Sequence, residues 1–177
     1  MSNSKCYNRI VVKDNLCQCY IIALGANDSE RLGTDYYANG IGTEADIDFS
    51  NMKNNADSFY GWYAKVVDTV CTTAPRAKIM LFTMPYPRNE SESGKLINDA
   101  IIAISKNAHF KNVALVDLSG EYNDYFKADG IANMLVSGHY TAVGYANVAK
   151  VNGFAVSDVM NKNIADYQDI PFIPYGN

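Results

Sequence analysis

Two short polar constellations carry the groups in this chain that could do chemistry. The first is Gly25-Ala26-Asn27-Asp28, at the end of the apolar run Cys19-Tyr20-Ile21-Ile22. A strand that leaves through a glycine turn can present a backbone N–H and an asparagine amide side by side. Preorganised donors of that kind hold a developing oxyanion, and removing one costs on the order of 3 kcal/mol of barrier. The second is His139, one of two histidines, preceded by Gly138 and followed by Tyr140-Thr141-Ala142-Val143-Gly144-Tyr145. A neutral imidazole titrates near physiological pH and suits the work of a general base. Each has a plainer reading. Asn and Asp turn or cap the chain after many strands, and a histidine such as His109, beside Phe110, is structural.

The elements between the two must bring them together. At 177 residues the chain is long enough for one domain with a sizeable core, and no repeat, low-complexity tract or linker divides it. Residues 17–25 read as a strand without alternation, expected to be buried on both faces of a parallel sheet. A long polar loop follows over 29–48. A helix is expected from Phe49 to Thr73, with Met52, Ala56, Phe59, Tyr63, Val66 and Val70 in one stripe. Lys78 to Thr83 forms a second strand, closed by Met84-Pro85-Tyr86-Pro87. A helix over 91–107 and a strand from Val113 to Asp117 come next. An irregular stretch leads to His139, then a last helix starts after Thr141, its N-cap. Tyr167 to Asn177 reads as a packed extended strap. Alternation of strand and helix predicts an α/β fold, a parallel sheet covered by helices with right-handed crossovers. In such sheets ligands sit outside the carboxyl ends of the strands. That rule gathers Asn27, the 84–90 loop, Asp117 and His139 on one edge.

Composition narrows the function. Hydrophobic content of 48% with 19% charged residues fits a globular domain. A net charge of −4, with no Lys/Arg cluster, gives no footprint for nucleic acid. No apolar run approaches a membrane span, and Met1 to Cys6 holds no signal-peptide core, so a cytoplasmic or virion-associated location is expected. Cys6, Cys17, Cys19 and Cys71 lack the spacing of a zinc site and read as free buried thiols. Tyr36 and Tyr37, in the long loop, could stack on a substrate ring.

The strand Tyr20-Ile21-Ile22-Ala23-Leu24 with Gly25-Ala26-Asn27-Asp28, and the block from Gly138 to Tyr145, resemble the third and last sequence blocks of the SGNH (GDSL-like) hydrolases. The resemblance implies a three-layer, flavodoxin-like fold and serine ester hydrolysis of the esterase, lipase or acetylesterase kind, with no metal or cofactor. It makes Asn27 an oxyanion-hole donor in the turn begun by Gly25, and His139 the base. Asp28 is expected to fix that turn at the substrate's edge, with Tyr86 and Asp117 lining the pocket.

Two departures accompany the resemblance. The family's acid three residues before the histidine is Val136 here, which leaves a backbone carbonyl, Asp117 or Asp129 to orient the imidazole. The Gly-Asp-Ser nucleophile block has no counterpart; Ser29 belongs to the oxyanion turn, and Ser137 is too close to His139. The chain matches the later part of the family's domain, apparently without its N-terminal strands. The missing serine is then expected from residues upstream of Met1 or from a partner chain. An apolar strand edge left open would favour a homo-oligomer or a complementary N-terminal fragment. The substrate class implied is a small-molecule or carbohydrate ester. The alternative is a non-catalytic carbohydrate-binding or structural module derived from a hydrolase, for example on a virion. A flavodoxin-like nucleotide binder suits the element order but would need a Gly-rich phosphate loop that is not here.

Overall fold

The computed structural model describes residues 17–32, 37–128 and 130–168. Among them, three parallel strands pair in chain order: β1 (Cys19–Ile22), β2 (Lys78–Phe82) and β3 (Val113–Val116). Ile22 lies opposite Leu81, and Phe82 opposite Val116. A short α1 (Ala26–Ser29) follows β1; α2 (Phe59–Thr73) leads to β2, and α3 (Glu92–Lys106) to β3. Beyond β3 come α4 (Asn123–Ala128), a hairpin of β4 (Leu135–Val136) and β5 (His139–Tyr140), then α5 (Ala142–Lys162) and α6 (Ile164–Gln168).

Strand periodicity sends alternate side chains to opposite faces. Ile22, Ile79 and Leu81 pack on one face against Phe59, Tyr63, Val67 and Val70 of α2 and Ile97, Ile101 and Ile104 of α3. Met80, Phe82 and Val116 pack on the other, against Phe126 of α4 and Val151, Ala155 and Val159 of α5. Both crossover helices therefore cover the same face, as crossovers of one hand between sequential neighbours require. The chain is mixed α/β with helices on both sides of the sheet. Each fully buried isoleucine on α3 contributes roughly 1.5–3 kcal/mol of burial. Side-chain caps fix the helix starts: Ser58, Ser91 and Thr141 hydroxyls accept from the N–H groups of Gly61, Gly94 and Gly144 at 3.2, 3.0 and 3.2 Å.

Four expectations need correction. β1 is not covered on both faces: Cys19 is exposed and Ile21 is 55% exposed, whereas β2 and β3 pack against both clusters. Among the described residues β1 is one edge of the sheet, and the helices of its second face sit over β2 and β3. The helix predicted from Phe49 begins at Phe59, because Ser58 caps it there and Met52–Asn54 forms a separate 3-10 turn. The stretch before His139 is not irregular but holds α4, a 3-10 turn over Ile131–Met134 and the hairpin. Cys17 and Cys19 are exposed, and only Cys71 is half-buried. Burial, with the Asp68 charge second, pushes the Cys71 thiol up to about 11. Cys6, Tyr36, Asp129 and most of the C-terminal strap lie outside the described residues, while Tyr167 and Gln168 end α6. No described helix is long and apolar enough to cross a membrane.

Candidate active site

The turn after β1 depends on Gly25. Its φ of 126° lies where L side chains rarely go, and an added Cβ would stand 2.7 Å from Ile97 Cγ2 in the core. The chain turns there straight into α1, and Ser29 N–H donates to the Gly25 carbonyl at 2.8 Å. Gly25 is itself buried. Asp28 serves the fold: its carboxylate accepts from the Tyr37 hydroxyl, and its carbonyl accepts from the N–H groups of Arg31 and Leu32. Asn27 is different. Its side chain is exposed and, among the described residues, has no hydrogen-bond partner.

The loop after β2 is held by α3. Asn98, 4% exposed, receives the Met84 N–H on Oδ1 at 2.7 Å and donates from Nδ2 to the Met84 carbonyl at 3.0 Å. Tyr86 turns toward α4, where Lys127 Nζ sits 5.5 Å from its ring centroid. At the end of β3, Asp117 Oδ1 accepts from Thr83 Oγ1 at 3.0 Å, Ser119 Oγ at 2.8 Å and Gly120 N–H at 3.0 Å. Thr83, almost fully buried, also accepts from the Ser119 N–H at 2.9 Å. Three donors converge on one carboxylate oxygen, so Asp117 closes a turn; no contact joins it to His139.

His139 opens β5 of a two-residue hairpin. Ser137 and Gly138 at its tip have φ of 51° and 79°, the doubly left-handed form that matches strand twist in such turns. The imidazole is exposed and has no hydrogen-bond partner among the described residues. The Gly138 carbonyl beside it accepts from Arg88 Nη2 at 2.7 Å. Tyr140 follows, its hydroxyl pKa raised mainly by burial. Its ring meets Tyr145 edge-on at 5.6 Å between centroids.

These elements enclose an open cavity of about 400 Å³ at the carboxyl edge of the sheet. Leu24 and Ala26 form the β1 side, Met84 and Arg88 the floor loop, His139 and Tyr145 the far side. Of the residues singled out in the sequence, His139 is in the wall and Asn27 adjoins it through Ala26. Gly25 shapes the turn behind it, while Asp28, Tyr86 and Asp117 are not wall residues. Sequence reasoning missed Arg88, Tyr145 and Asn152. Arg88 carried a signal, being the one cation in the loop at the carboxyl end of β2, and Tyr145 closes the block around His139; Asn152 carried none. Among the described residues, no three His, Cys, Asp or Glu side chains group closely enough to hold a metal ion. No protein-family model matches the sequence, and no curated protein matches it.

Proposed function

We propose that this cavity is part of an ester-hydrolysing site of the SGNH type, in which Asn27 donates to the oxyanion and His139 is the base. The observation that carries the reading is the cavity itself. Two polar groups far apart in sequence, each exposed and without a hydrogen-bond partner among the described residues, lie at one cleft at the carboxyl edge of a parallel sheet, His139 in its wall and Asn27 next to the wall residue Ala26, where ligands of such folds bind. No serine is among the described residues of the wall. In this reading the attacking hydroxyl comes from another segment, seated beside β1 where Ile21 and Leu24 are about half exposed. An oxyanion donor and a base still accelerate attack by water, because hydrolase sites stripped of the nucleophile keep a large residual rate. The chain alone should therefore hydrolyse p-nitrophenyl acetate slowly. Asn27→Ala should lower that rate by about 100-fold, and His139→Ala by a similar or larger factor. Equal rates for the wild type and both variants would remove the ester-hydrolase reading.

One observation favours a second reading. Tyr140 and Tyr145 line the cavity, and Tyr145 is 56% exposed, so an aromatic side chain is open to a sugar ring. A carbohydrate-binding module without catalysis would bind an acetylated oligosaccharide, lose that binding on Tyr145→Ala and keep it on His139→Ala. Calorimetric titration of the wild type and both variants separates the two readings.

A further inference from the structure

We propose that Arg88 is the positioning residue of this site, bracing the His139 hairpin against the loop after β2. The proposal rests on reading His139 as the base, but its first test does not use catalysis. Arg88 stands on a fixed platform. Its carbonyl accepts from Ser91 Oγ at 3.0 Å, and it lies so close to α3 that a Cβ on Gly94 would come within 2.1 Å of that oxygen. From there the side chain reaches two other segments. Nη2 donates to the Gly138 carbonyl at 2.7 Å, and Nη1 lies 3.6 Å from Glu30 Oε1, just past α1. One guanidinium thus touches the loop after β2, the residue before His139 and the residue after the Asn27 helix.

The two contacts differ in weight. Glu30 is 69% exposed, and an ion pair in solvent contributes little. The bond to Gly138 is short, charge-assisted and made by a side chain only 24% exposed, which places it among the stronger hydrogen bonds. The hairpin needs such a bond. It has two residue pairs, Leu135 with Tyr140 and Val136 with His139, and an isolated two-strand ribbon is marginal in water. Its tip places Ser137 in left-handed backbone, which costs a further increment in a residue with a Cβ. With valine at 136, no acid precedes His139 to orient it from within the hairpin. A hold on the hairpin tip from outside takes that place.

Amide hydrogen exchange by NMR on the intact chain tests the brace. Hairpin amides, with the Thr141 N–H that bonds the Met134 carbonyl at 2.8 Å, report the hairpin; amides of the β2–β3 ladder report the sheet. In Arg88→Ala the hairpin amides should exchange on the order of ten- to a hundred-fold faster while ladder amides are unchanged. Arg88→Lys, which keeps the stem and one cationic donor, should recover most of the protection, and Glu30→Gln should lose almost none. The ring signals of His139 should shift in Arg88→Ala, with those of His109, held by Asp68 and Phe49, as the unmoved control.

Unchanged hairpin exchange in a folded Arg88→Ala chain would overturn the proposal. So would wild-type hairpin amides that already exchange at unfolded rates. Should the alanine variant fail to fold, a lysine variant no better protected than Arg88→Gln would overturn it too. The outcomes separate the two claims: a loosened hairpin with no His139-dependent hydrolysis keeps the brace and sinks the esterase, and the reverse pair does the opposite.

Discussion

Replacing Gly25 by alanine tests whether the site is built on the core or merely attached to it. Two costs are legible. The residue has φ of 126° and ψ of −24°, a sparsely populated backbone that costs a residue with a Cβ about 1–3 kcal/mol. The new methyl would also stand 2.7 Å from Ile97 Cγ2, with Met84 Sδ at 3.7 Å and Ile101 Cδ1 at 3.8 Å. Ile97 is fully buried and cannot rotate away, so relief requires α3 or the turn to move by several tenths of an ångström. Overpacking of that kind costs about 1–3 kcal/mol. Alanine's lower entropy in the unfolded chain returns about 0.4–1 kcal/mol. The expected loss is therefore about 1–5.5 kcal/mol, read as a lower urea midpoint at unchanged slope. A double-mutant cycle isolates the contact. Ile97→Leu removes the Cγ2 branch at nearly constant volume and should cost less than about 1.5 kcal/mol alone. Combined with Gly25→Ala it should recover about 1 kcal/mol or more, leaving the backbone term. A Gly25→Ala cost below about 1 kcal/mol, or strictly additive effects, would refute the claim that Gly25 is fixed by contact with α3.

Two further perturbations address the frame around the cavity and the long loop. Asn98→Ala leaves the buried N–H and carbonyl of Met84 without partners and should destabilise by about 3 kcal/mol, measured by urea unfolding; a loss near zero would mean that the loop re-forms without its clamp. Asp48 accepts hydrogen bonds first from the Ser50 hydroxyl, then from Asn54 and the Asn51 N–H, which hold its carboxyl at about 2. A depressed folded-state value stabilises above the unfolded value near 3.9, and that contribution is lost as pH falls toward 2. The urea midpoint should therefore fall between pH 4 and pH 2 more steeply in the wild type than in Asp48→Asn, and parallel curves would count against the loop network.

The parts of the fold legible in the sequence were those whose signals are local. Thr141 announced a helix start because a hydroxyl caps only its own first turn, and the runs at 78–82 and 113–116 were apolar enough to be strands in any context. The errors share a different cause. Apolar residues at Cys19 and Ile21 look the same whether a strand is central or at an edge, and edge status depends on pairing order, which no residue of β1 encodes. The stripe beginning at Met52 continued that of α2 on paper, yet Ser58 offered a competing cap whose bond to Gly61 wins. The hairpin carried a cue in Ser137-Gly138, but two-residue strands are too short for periodicity to show.

Within the candidate site the same division has a functional edge. Polar residues at the carboxyl ends of the strands were equivalent in the sequence: Asn27, Asp28, Asp117 and His139 all sat on the expected rim. What separates them is satisfaction. Asp28 and Asp117 have their carboxylates filled by Tyr37, Thr83, Ser119 and Gly120, and Asn98 is engaged with the backbone of Met84. Asn27 and His139 have no such partner among the described residues and face solvent. A hydrogen-bonding group that the fold has already engaged must break that bond before it can serve a ligand, at roughly 0.5–1.5 kcal/mol for an ordinary pair and more for a charged one. A group left open at a cavity carries no such cost. By that criterion Asn27 and His139 are free for a substrate, and Arg88 stands between the two classes: one donor holds the hairpin, while its contact to an exposed glutamate is weak enough to yield.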